Sequence, residues 1–124
     1  MYPSSQARTA YAAAPVRSAR GAEYAVFALV TKRLAAIDQS DRTAFPRLAE
    51  AVTDNQRLWA TLAEDLMSDG NRLPLALRAQ LLSLAEFVRR HSLAVLGGKG
   101  AVDVLVDINT AIMKGLRGDV EAAA

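Results

Sequence analysis

A single histidine, His91, stands beside Ser92 and two turns after Ser83, and this is the nearest the chain comes to a nucleophile with its base. General-base activation requires the two side chains within hydrogen-bond reach. Adjacent positions on a helix do not face each other, and no G-x-S-x-G elbow presents a serine. His91 therefore reads as a ring satisfied by neighbouring polar groups or water. Carboxylates occur as Glu64-Asp65, as Asp38 and Asp41, and as Asp103 and Asp107. The last two share a helix face, where a cation could sit, but a metal site needs more oxygen ligands than two. An early-turn aspartate is already favoured by the helix dipole. G97-G-K-G100 has the glycines of a phosphate loop without the G-x-x-x-x-G-K-[ST] spacing or a preceding strand, so it reads as a helix-to-helix turn. The chemistry-bearing residues thus point to no enzyme, no cofactor and no metal.

Composition narrows the remaining classes. The 124 residues suit one ordinary domain, and 52% hydrophobic with 23% charged residues is globular rather than disordered. There is no cysteine, which removes disulfides and thiolate chemistry and fits a reducing compartment. No uncharged run approaches the ~20 residues of a membrane span. The formal net charge is +2, and residues 1–20 carry Arg8, Arg17 and Arg20 with no acid. That arm and R89-R90-H91 are the only candidates for nucleic acid. Aromatics are 6% and no recognition signature is present, so nucleic-acid binding is disfavoured.

The elements follow from apolar spacing and punctuation. Ala7 and Tyr11 allow a short helix over about 4–13, ended by Pro15. A helix over about 18–38 starts at Ser18 and carries Tyr24, Phe27, Thr31, Leu34 and Ile37 or Asp38 on one side. The next starts at Pro46 and reaches about Met67, followed by a turn at S68-D-G-N71. Leu77, Leu81, Leu84, Val88, His91 and Val95 then mark a helix from near Pro74 to Gly97-Gly98. Val102, Leu105, Ile108, Ile112, Met113 and Leu116 mark the last, over about 101–117. The fold class is therefore all-α: a small antiparallel helical bundle of four main helices plus a short N-terminal one. Residues 1–17 form a basic arm, 18–117 a single bundle domain, and 118–124 a frayed tail.

Two amides interrupt the apolar stripes. Asn55 completes the row Val52, Trp59, Leu62, Leu66, and Asn109 holds the equivalent place in the last helix. A buried amide in a helical seam fixes register provided it finds a partner. Asn55 and Asn109 are expected to pair, with His91 or Ser92 as a third member of the polar network. The competing reading has the same amides lining a groove for a partner helix.

Three segments, D54-N-Q-R-L-W59, L73-P-L-A-L-R-A-Q-L-L-S-L-A-E-F-V-R-R-H-S92 and D107-I-N-T-A-I-M-K-G-L-R117, together resemble the flagellar biosynthesis regulator FlaF of alphaproteobacteria. The resemblance runs from about Tyr11 to Arg117, and it carries the family pattern onto Asn55, Leu58, Trp59, His91, Ser92, Asp107, Asn109 and Met113. It implies a cytoplasmic flagellin-binding secretion chaperone that promotes flagellin production and export, beside the translation regulator FlbT. The alternative it leaves open is post-transcriptional control of flagellin synthesis through mRNA or FlbT without direct flagellin binding. Flagellin's terminal amphipathic helices are the implied cargo, and a helix-in-groove mode suits a leucine-rich helical protein. Two surfaces are candidates for it: Trp59 and Leu62 with Leu81 and Leu84, or Val104, Ile108 and Met113 on the last helix.

Overall fold

The computed structural model describes residues 16–123, with side-chain surroundings for residues 24–115. The short helix expected over about 4–13 lies outside the described residues. Among those described there are four helices and no strand: α1 Val16–Ala35, α2 Phe45–Met67, α3 Leu75–Leu96 and α4 Val102–Ala123. None is long and apolar enough to cross a membrane.

Local chemistry sets most of the boundaries. α1 begins at Val16 rather than Ser18, has Lys32 and Arg33 in its last turn where the helix dipole favours cations, and stops at Ala35. It ends before Asp38 because that side chain turns to its own loop, accepting from Ser40 N at 3.0 Å and Ser40 Oγ at 2.6 Å. Asp41 then caps a 3-10 turn over Arg42–Ala44, accepting from Thr43 N at 2.9 Å and Thr43 Oγ1 at 2.7 Å. These bonds hold its carboxyl below the usual range. The turn's support is therefore complete above ordinary carboxylate pKa values and is lost as pH falls through the lowered one.

Pro46 sits in the first turn of α2, where its missing N–H costs nothing. Ser68 N closes that helix on Asp65 O at 3.1 Å, and Asn71 Nδ2 donates to Asp65 Oδ2 at 3.0 Å. α3 follows Pro74 directly, and Gly97 with Gly98 ends it, Gly98 taking the left-handed φ of 77° that favours glycine. α4 continues through Gly118 to Ala123, past the end expected near 117. Each helical glycine, Gly115 or Gly118, costs only ~1 kcal/mol, and no proline follows them in the helix.

The helices run antiparallel in chain order. Arg33 lies 3.7 Å from Asp54 and the Phe27 ring meets Trp59 edge-on at 5.8 Å, so α1 descends as α2 rises. α1 packs most extensively along α4, and α2 along α3. α2 and α4 are diagonal to each other and share no close backbone contact. The core between the pairs includes the fully enclosed Leu34, Val52 and Leu105, each contributing roughly 1.5–3 kcal/mol by burial.

Gln39 fastens the loop end of the bundle. Its Nε2 donates to Gly100 O at 2.7 Å while its Oε1 accepts from Val102 N at 2.9 Å, satisfying an amide that the first turn of α4 would otherwise leave open. Gln39→Ala is expected to cost about 1–2 kcal/mol in urea unfolding, two hydrogen bonds at their usual net value. Gln39→Glu keeps the acceptor alone and should retain about half of that contribution.

Candidate functional site

The centre of the bundle holds a polar chain. Trp59 Nε1 donates to Asn109 Oδ1 at 2.9 Å, and Asn109 Nδ2 donates to Asn55 Oδ1 at 2.8 Å. All three residues are buried, Asn55 and Asn109 completely. Although the α2 and α4 backbones do not abut, these hydrogen bonds link the two helices across the diagonal. The same low dielectric that strengthens the chain makes any broken link costly. Asn55 Nδ2, Ser92 Oγ and Thr31 Oγ1 are buried without a hydrogen-bond partner among the described residues.

His91 is not part of this network. It lies beside the core row Val88, Ser92 and Val95 rather than in it, so its ring turns to the α3–α4 turn. Its Nε2 faces Ala101 O at 2.8 Å, and as a carbonyl only accepts, Nε2 carries the proton. The ring stacks on Phe87 at 5.6 Å, and a side chain on Gly100 would meet its Cε1 at 3.1 Å. Ser92 points into the core, as expected for the network, but is bonded to neither asparagine and not to His91. Among the described residues no three His, Cys, Asp or Glu side chains gather as metal ligands.

The residues expected at a partner surface divide differently. Trp59 is core, with 2% exposure. Leu62, Leu84, Ile108 and Met113 are half-buried and pack against the core cluster. Leu81 and Val104 are half-buried as well. Leu62, Leu84, Ile108 and Met113 therefore help to close the bundle.

The α2–α3 seam opens instead on its outer side. A groove of about 370 Å³ runs between the helices, with Trp59 and Val88 at its base and Ala60, Ala63, Leu82 and Ala85 along its walls. Gln56, Glu64, Glu86 and Arg89 form the rim. Arg89 holds Glu86 by two bonds, at 3.0 and 2.7 Å, and Arg90 approaches the same carboxylate at 3.6 Å. The Arg89 hydrogen bond, with desolvation opposing it, keeps the Glu86 carboxyl below its usual range and raises Arg89 in return. Glu86 and Arg89 therefore remain charged at neutral pH. Three of the four wall residues are small, so a helix laid in the groove can approach the backbone closely. Alanine gives no distinct apolar period, and this is why the spacing of leucines points to the inner side of the seam.

Fold and site thus define a small all-helical protein with an amide-bridged core and an outer apolar groove between two antiparallel helices. The model of the flagellar protein FlaF family matches residues 6–116, and the chain belongs to that family. It is accordingly a flagellar protein. No curated protein and no solved structure matches the chain.

Proposed function

We propose that this FlaF protein is a cytoplasmic flagellin-binding secretion chaperone that promotes flagellin production and export, with no enzyme activity of its own. The observation that carries this reading is the α2–α3 groove, whose apolar base, small walls and polar rim suit an amphipathic helix of the kind found at flagellin's ends. Membership of a flagellar family supplies the biological context. Each leucine-sized side chain such a helix buries contributes roughly 1.5–3 kcal/mol, enough that two or three anchors give useful affinity after the cost of association.

The reading through mRNA would draw on exposed cations. Arg89 and Arg90, the exposed cation pair beside His91, both face Glu86, which offsets one of their two charges toward a phosphate. The groove is therefore preferred. Isothermal titration with monomeric flagellin at low and high salt distinguishes the two. Salt-insensitive binding with a negative heat-capacity change is expected. Absence of heat at both salt concentrations would overturn the direct-chaperone reading and bring control through FlbT or mRNA forward.

A further inference from the structure

We propose that the α2–α3 groove is covered in the free protein by the same groove of a second copy, in a weak dimer with twofold symmetry. The dimer is a property of the protein by itself and does not depend on which other helix the groove receives.

Charge divides the groove into two unlike ends. α2 runs from Gln56 to Glu64 along one wall and α3 runs back from Leu82 to Arg89 along the other, so Glu64 stands at the end near the α2–α3 turn and Arg89 at the opposite end. Glu64 forms no ion pair among the described residues. At the other end Arg89 and Arg90 share the single carboxylate of Glu86, leaving one net positive charge on guanidinium groups that are more than half exposed. One end therefore lacks a cation and the other lacks an anion. A twofold axis perpendicular to the groove at its centre exchanges the ends: α2 of one copy lies along α3 of the other, and each Glu64 reaches the partner's Arg89 and Arg90. An isologous contact requires this kind of self-complementarity. An axis along the groove would instead gather both Glu64 carboxylates at one end and all four arginines at the other, an arrangement that like-charge repulsion disfavours.

Shape permits the approach. With the axis perpendicular, Ala60 and Ala63 of one copy come over Leu82 and Ala85 of the other, and walls this small let the helices pack at about 8–10 Å. Trp59, at 2% exposure, serves as the floor and not as an anchor. The patch covers two helix diameters across and about 20 Å along them, roughly 400 Å² on each copy. That is below the size of a stable interface, so the dissociation constant is expected on the order of 100 μM. A helix of higher affinity displaces the second copy from the groove.

Exchange of charge between two variants tests the arrangement. Glu64→Arg puts a cation at both ends of the groove and Arg89→Glu an anion at both, so each variant alone should associate at least tenfold more weakly than the parent at low ionic strength. Mixed in equal amounts, the two variants face opposite charges at both ends, and association should return to within about threefold of the parent's. Sedimentation equilibrium over about 0.01–0.5 mM reads all four samples. Arg89→Glu lowers the formal net charge from +2 by two units to zero, so its weakening cannot come from general repulsion between copies. Recovery in the mixture also shows that neither variant has lost its fold. A parent that stays monomeric to about 0.5 mM would overturn the proposal and leave the groove to a helix of another protein. Single variants that associate as the parent does would overturn it too, as would a mixture no stronger than its components.

Discussion

Asn109→Leu should lower the unfolding free energy by about 2–5 kcal/mol, while Asn55→Leu should lower it by about 1 kcal/mol or less, although both asparagines are fully buried. The difference follows from position in the chain of bonds. Asn109 accepts from Trp59 and donates to Asn55, so its loss strands an indole N–H and an amide oxygen together. Each stranded group costs roughly 1–3 kcal/mol in a dry interior. Asn55 only accepts, and its Nδ2 has no partner to lose. Replacing it strands Asn109 Nδ2 but removes a donor of the same kind, so the balance is nearly even. Leucine shares asparagine's branching but is larger, so neither variant opens a cavity and both carry a similar overpacking cost. Equilibrium urea unfolding reads both values, and a double-mutant cycle should show a loss smaller than the sum, with coupling of about 0.5–3 kcal/mol. Equal losses for the two single variants would mean that the central position of Asn109 carries no special weight. Against a typical domain stability of 5–15 kcal/mol, the Asn109 effect alone is large.

That ranking cannot be taken from the sequence, and the reason is instructive. Two amides interrupting two apolar stripes show which residues must find partners across the bundle. They do not show that the indole N–H of Trp59 reaches over the diagonal to the same amide, because helix periodicity fixes which way a residue leaves its helix and not where the edge of its ring lies. His91 illustrates the converse limit. It follows the leucine rhythm of α3 closely enough to be grouped with Ser92, yet one position on a helix separates the core from the flank, and the α3–α4 turn offers Ala101 O. Gln39 leaves no trace in the sequence pattern, being an exposed polar residue whose partners lie 61 and 63 positions away. The helices themselves are readable because prolines stand at their starts, glycines near their ends, and leucines and valines between at steps of three and four. Boundaries shift where a side chain competes with the helix, as at Asp38, or where a glycine has nothing after it to stop the helix, as at Gly118. The groove is the least readable feature, since three of its four wall residues are alanines.

Those alanines allow the sharpest test of where a partner helix sits. Ala63→Arg should weaken flagellin binding by tenfold to a hundredfold, about 1.4–3 kcal/mol, with the unfolding midpoint nearly unchanged. Helices packed on small residues lie about 8–10 Å apart, and an arginine on the wall occupies the space the incoming backbone needs. The fold tolerates the change because Ala63 is only half-buried and a long side chain can carry its guanidinium out to water. Arginine is also nearly as good a helix former as alanine, so α2 itself is little affected. Ala76→Arg, on an exposed part of α3 away from the groove, adds the same charge and serves as the control. If repulsion between net charges were responsible, both variants would weaken binding alike, and added salt would restore it. A loss confined to Ala63→Arg and persisting at high salt is the signature of a blocked apolar site. Binding that neither variant disturbs would place the flagellin contact on another face, and the α2–α3 seam would then have only a structural part in the fold.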